Sequence, residues 1–250
     1  MITFWTTPRT IQSIFGSNYK TYPVFGMTHL LELGFAILII MIISLIYRKL
    51  DNKKRDKILF VTTILIVIDE LFKYAFTIPT NQWTWSYLPL HLCSINVFTT
   101  TIHTITKSNK IKEFLYALCL PGAILALISA PWLTAPVMNA MHIHSYTIHV
   151  LLILYPILLL AGGYRPTSKS ILSNAIILIC IAIPIFFINK ALNTNFLYIN
   201  DPSEVFITKF LYDLFGNFYV VSFPILICIV WLVMYLPWNI RKTKSINEYN

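Results

Sequence analysis

Seven predominantly apolar runs follow one another along the chain at 28–47, 58–77, 88–106, 111–130, 144–161, 171–187 and 217–235, separated by short polar breaks. The hydrocarbon core of a bilayer is crossed by roughly 20 apolar residues in a helix, and backbone groups inside it must be satisfied within the segment, which leaves helices or closed barrels. A chain that is 57% hydrophobic and 12% charged over 250 residues is too apolar for a soluble domain of that length. The expected fold is therefore all-α: a polytopic membrane helix bundle of about seven transmembrane helices, forming a single integral membrane domain over 1–250. A membrane location follows, and the plasma membrane is the one expected.

The placement of Lys and Arg gives an orientation, because cytoplasmic loops retain them. Fourteen of the 19 cations, including Arg48, Lys53, Lys54, Arg55, Lys107, Lys112, Arg165 and Arg241, fall after the first, third and fifth runs or in the C-terminal tail. Arg9, Lys20, Lys190 and Lys209 fall on the other side, and Lys73 lies inside a run. The N-terminus is thus expected outside and the C-terminus in the cytoplasm. The net charge of +9 then reflects topology and anionic lipid rather than nucleic acid, which is not an expected partner. No cleavable signal peptide is expected in 1–20, which lacks a basic start followed by an apolar core. Between the last two runs, Asp201, Pro202, Ser203 and Glu204 have the form of a helix start. Amphipathic spacing beyond them predicts an interfacial helix over 202–215.

Polar groups within the runs are costly unless satisfied and are the default functional candidates. His29 and Glu32 share one helical face, either as an interfacial hydrogen bond or as a carboxylate orienting a working histidine. Asp69, Glu70 and Lys73 allow a buried ion pair with either carboxylate, leaving one excess negative charge, or a proton-handling carboxyl. In the run Pro89–Cys93 (PLHLC), His91 and Cys93 point to different faces, and Cys93 heads a stripe with Asn96, Thr100 and His103. At about 1.5 Å per residue Cys93 is expected roughly 6 to 8 Å below the outer end of its helix. His142, His144 and His149 cluster at the start of the fifth run, with His149 deepest and suited either to act as a base or to pack. No carboxylate or cysteine stands at ligand spacing beside them, so neither metal nor other cofactor is expected. Cys119, Cys180 and Cys228 lie on other apolar runs, a pattern of packing residues rather than of disulfides.

The motif order PLHLC, PGAILALISAPW at Pro121–Trp132, a histidine seven residues before a proline (His149, Pro156), NTNF at Asn193–Phe196 and LPW at Leu236–Trp238 resembles the YwaF-like bacterial membrane proteins over nearly the whole chain. These are similar to the animal transmembrane protein 164 family, described as lipid acyltransferases that use a Cys and a His. A more distant group, the androgen-induced-gene-one hydrolases, cleaves lipid esters with Thr and His on a similar plan. The resemblance implies an intramembrane acyltransferase or lipid-ester hydrolase working from the outer leaflet on a phospholipid or lysophospholipid. Cys93 would be the nucleophile and His149 the base. His91 or Asn96 would stabilise the oxyanion, and Asp69, Glu70, Lys73, His144, Asn195, His29 and Glu32 would support the site or bind substrate. A solute transporter or lipid-binding protein without covalent chemistry is the alternative, in which the same polar residues line a pathway.

Overall fold

The computed structural model of the protein describes residues 2–16, 19–202 and 206–247. Among them the secondary structure is helical throughout, in ten α-helices joined by short turns. In chain order these are α1 (Pro8–Phe15), α2 (Met27–Arg48), α3 (Asn52–Thr77), α4 (Leu92–Thr106), α5 (Asn109–Phe114), α6 (Leu120–Ser129), α7 (Ala140–Ala161), α8 (Ile171–Leu192), α9 (Phe206–Phe215) and α10 (Phe223–Asn247). Five stretches are long and apolar enough to cross a membrane: Met27–Arg48, Asn109–Ser129, Ala140–Ala161, Ser168–Leu192 and Ile207–Ile240. The other two expected spans differ for physical reasons. α3 is 26 residues long but opens on five charged groups among its first six residues and carries Asp69, Glu70 and Lys73 near its end. α4 has only 15 residues, roughly 22 Å at about 1.5 Å per residue.

Helix boundaries move where local turn chemistry outweighs apolar patterning. The third run starts as helix at Leu92 rather than at 88, because the residue before a proline is pushed out of the helical region and Leu88–Pro89 forms a turn closed by Leu90 N–H to the Leu88 carbonyl (2.8 Å). α7 starts earlier than 144, at Ala140, because the Asn139 side chain caps the Met141 and His142 N–H groups. The last helix starts at Phe223 after a tighter 3-10 stretch, Gly216–Ser222. The proposed cap residues Ser203 and Glu204 lie outside the described residues, and α9 is seen from Phe206 onward.

α7 is the hub. It packs against α2, α3, α4 and α6, and His142, His149, Leu152, Tyr155 and Leu158 on it are all buried. Around it, α2 turns Leu30, Leu31, Phe35, Ile37 and Met41 outward, as helices facing lipid do. The segment before α2 straps one end of the bundle: the Thr7 N–H donates to Gln82 Oε1 (2.8 Å) in the loop after α3, and the Asn139 amide donates to the Thr6 carbonyl (2.8 Å).

Two of the prolines inside the bundle, Pro121 and Pro156, are compensated by side chains from other helices. A proline removes one N–H and frees the carbonyl four residues earlier. Between α5 and α6, ahead of Pro121, Leu115–Cys119 forms a π-helical turn, and the freed Ala117 carbonyl accepts the Trp231 indole N–H at 2.8 Å. In α7, Pro156 frees the Leu152 carbonyl, which accepts the Cys119 thiol at 3.4 Å. Trp231→Phe is accordingly expected to lower stability by about 1–3 kcal/mol by leaving a buried carbonyl unpaired. Thermal unfolding in detergent checks this, and an unchanged midpoint would contradict it.

Candidate functional site

Cys93 is the second residue of α4, not a residue several ångströms along it. It is half-buried and sits in the first turn, where free N–H groups and the helix dipole favour negative charge. The turn is held close to α6 by Gly122, where a Cβ would come within 2.9 Å of Leu92 Cδ2. His91 is the residue before the helix, its ring packed on Phe196 (centroids 5.1 Å apart) and Tyr198 (5.3 Å). Asn96, one turn below Cys93, is 2% exposed, and its Oδ1 has no partner among the described residues.

His149 is held from two sides. Its Nδ1–H donates to the Ser145 carbonyl one turn back at 2.6 Å, and its ring lies flat on Trp132, with centroids 5.0 Å apart and planes 16° from parallel. A carbonyl can only accept, so Nδ1 carries the proton and Nε2 keeps its lone pair. This is the tautomer a general base needs. No hydrogen bond joins Cys93 to His149.

The α3 triplet resolves into two pairs. Lys73 Nζ donates to Glu70 Oε1 at 2.7 Å with both side chains under 10% exposed, and the Tyr74 hydroxyl reaches the same carboxylate at 3.4 Å. Asp69 does not share the lysine. It accepts His144 Nδ1–H at 2.9 Å and the Thr147 hydroxyl at 2.7 Å, both from α7. The expected excess charge is thus carried by a histidine–carboxylate pair between helices.

A second such pair corrects the reading of α2. Glu32 does not orient His29. It accepts His142 Nε2–H at 2.8 Å and the Tyr22 hydroxyl at 2.9 Å. His29, 2% exposed, has both ring nitrogens occupied, Nδ1 by the Phe25 N–H (3.0 Å) and Nε2 by the Leu127 carbonyl (2.9 Å), and is a structural histidine. The three histidines of α7 therefore take three separate partners, Glu32, Asp69 and the Ser145 carbonyl, instead of converging. Asn195 is a loop organiser: its Oδ1 accepts the Asn200 and Asp201 N–H groups at 3.2 and 3.0 Å, and its amide donates to the Asp201 carbonyl at 2.7 Å. Its link to the site is indirect, since the same loop presents Phe196 and Tyr198 to His91.

Further along α4, His103 Nδ1 is hydrogen-bonded to the Tyr155 hydroxyl (2.7 Å), which meets Thr104 (2.7 Å), which in turn meets Thr63 (2.6 Å). His103 is 1% exposed, with Nε2 unpartnered among the described residues. Sequence spacing placed His103 on the Cys93 stripe but gave no sign of Tyr155, which comes from another helix.

The arrangement offers a thiol at a helix start, an imidazole whose Nε2 has no partner among the described residues, and a lysine-paired carboxylate on α3, all inside a bundle with several membrane-spanning helices. The model of the TMEM164 family matches residues 24–235. No match is found among curated proteins or solved structures. The match takes in the helices α2 to α9 and every side chain of the site from Glu32 to His149, and the chain belongs to the TMEM164 family of membrane proteins.

Proposed function

We propose that this membrane protein is an intramembrane lipid acyltransferase or lipid-ester hydrolase, with Cys93 as nucleophile and His149 as base, acting from the outer leaflet of the plasma membrane. In this reading α2, α3, α4, α5–α6, α7, α8 and α10 are seven spans, with the N-terminus outside and the cation-rich loops in the cytoplasm. The observation that carries the chemistry is the His149 geometry: with Nδ1–H fixed on the Ser145 carbonyl, Nε2 is the nitrogen available to take a proton. A thiol is nucleophilic as thiolate, and apolar surroundings disfavour that form, so a neighbouring base has to generate it.

The steps balance as follows. His149 Nε2 takes the Cys93 proton, and Sγ attacks an ester carbonyl of a phospholipid. The C–S bond forms, the ester C–O bond breaks, and His149 protonates the leaving oxygen to give a lysophospholipid. A hydroxyl of a second lysophospholipid, or water, then gives its proton to His149 and attacks the thioester, releasing the Cys93 thiol. Free N–H groups in the first turn of α4, together with the Asn96 amide, are the donors suited to the oxyanion. Proton transfer needs Sγ and Nε2 within hydrogen-bond reach, roughly 3 Å, or joined through one water.

The second reading, a transporter or lipid-binding protein without covalent chemistry, is favoured by one observation: the polar set continues inward through His103, Tyr155, Thr104 and Thr63. Transfer of a labelled acyl chain from phospholipid in proteoliposomes separates the two. The enzyme reading expects label on an acceptor lipid or as free fatty acid with the wild type and none with Cys93→Ser. Label remaining on the donor with the wild type, or transfer persisting in Cys93→Ser, would overturn it.

A further inference from the structure

A polar cavity of about 540 Å³ opens at the end of the bundle where α4 begins, between α1 and the loop that follows α8. Arg9 of α1 and Lys190 of α8 line it from opposite elements, with Asn193, Thr194 and Asn200 between them and, among the described residues, a single carboxylate, Asp201. The two cations outnumber the acid, and among the described residues neither has a carboxylate partner: Arg9 contacts the Ser86 hydroxyl, and the Lys190 ammonium lies over the Phe186 ring at 4.5 Å. The floor is rigid. The Asn189 side chain donates to the Phe196 carbonyl (2.9 Å) and to Asn200 Oδ1 (2.7 Å) and accepts the Phe196 N–H (2.8 Å), which fixes the loop without using either cation.

The loop that lines the cavity also reaches the segment before the thiol. Its floor segment carries Phe196 and Tyr198, the two rings packed on His91, and His91 stands two residues before Cys93. A monoanionic group with several acceptor oxygens, flanked by one guanidinium and one ammonium and reached by amide donors, matches this lining.

We propose that this cavity holds the phosphate of a phospholipid headgroup, with Arg9 and Lys190 as its charge partners, while the acyl ester lies beside Cys93. The inference rests on the acyl-transfer reading for the second half of that statement only. Arg9 lies outside the residues matched by the family model, so the pocket is assembled from α1 together with matched residues at the end of α8 and in the loop after it.

The test is binding rather than turnover. Dihexanoyl phosphatidylcholine, inorganic phosphate and dioctanoylglycerol are titrated against the purified full chain in nanodiscs, followed by tryptophan fluorescence. Phosphatidylcholine is expected to bind, weakening roughly tenfold for each charge removed in Arg9→Gln and Lys190→Gln, whereas Arg9→Lys and Lys190→Arg retain binding and dioctanoylglycerol responds to none of them. Both side chains are exposed, so these variants should fold. As a second measurement on the unaltered protein, phosphatidylcholine should protect Lys190 from an amine-reactive reagent and dioctanoylglycerol should not. Undiminished phosphatidylcholine binding in Arg9→Gln/Lys190→Gln, or no protection of Lys190, would overturn the proposal. Inorganic phosphate binding as tightly as the lipid would assign the cavity to free phosphate and overturn the headgroup assignment. Charge-dependent lipid binding without acyl transfer would keep the headgroup site and remove the enzyme reading; transfer that ignores both charges would do the reverse.

Discussion

Cys93→Ser is expected to lower acyl transfer by at least roughly a thousandfold, because a serine hydroxyl in the same place is far harder to deprotonate and no covalent intermediate forms at a useful rate. His149→Ala should cost about 10²- to 10⁴-fold, the range of a positioned acid–base catalyst. The two losses should not multiply. If His149 acts only by taking and returning the proton of the acyl-transfer steps at Cys93, the double variant is no slower than Cys93→Ser alone, as for residues that work as a unit. Steady-state transfer rates in proteoliposomes, with matched thermal stability of the variants, give the comparison. Losses that multiply would mean that the two residues contribute separately and that the thiol–imidazole pairing is wrong.

The largest effect on stability is expected at the Glu70–Lys73 pair. The ammonium and carboxylate are 2.7 Å apart with side chains 8% and 9% exposed, among apolar neighbours that include the partly buried Val67 and the buried Ile66. Removing one partner strands the other charge, so Glu70→Leu or Lys73→Leu should each destabilise the protein by about 3–5 kcal/mol. Replacing both together with leucine removes two desolvation penalties along with the attraction, and should cost far less than either single change. Unfolding midpoints of the three variants in one detergent provide the test. A double variant as damaged as the sum of the singles would show that the pair is held by something other than mutual neutralisation.

What the sequence discloses here depends on how far apart the interacting residues stand in the chain. Apolar runs of bilayer length disclose the helices, since the period and the span are local properties. Contacts within one helix are equally legible: Glu70 and Lys73 are three residues apart and do pair. Glu32 with His142 and Asp69 with His144 are separated by 110 and 75 residues. Nothing in a single sequence says which face of α7 meets α2 and which meets α3, so spacing alone offers His29 as the neighbour of Glu32. Helix starts failed where a short-range signal was overridden or overlooked. Leu88–Pro89 turns before α4 begins, which moves Cys93 into a first turn, and Asn139 caps α7 ahead of the histidines. Asn195 shows the limit of motif reading: a polar residue in a shared motif serves the loop backbone, and its relation to the site passes through Phe196 and Tyr198. The compensation of Pro121 by Trp231 and of Pro156 by Cys119 was invisible for the same reason as the ion pairs, although the prolines themselves announced that a carbonyl would be freed.

The central claim is that Cys93 is an activated nucleophile served by His149. The most direct measurement is to treat the purified protein in lipid with a hydrophobic, acyl-mimicking thiol-reactive probe and locate the adduct by mass spectrometry. The account predicts rapid labelling at Cys93 that is lost in His149→Ala. Cys119, committed to the Leu152 carbonyl, and the lipid-exposed Cys180 and Cys228 should stay unreactive. Equal labelling of all four cysteines, or labelling of Cys93 that persists without His149, would contradict it.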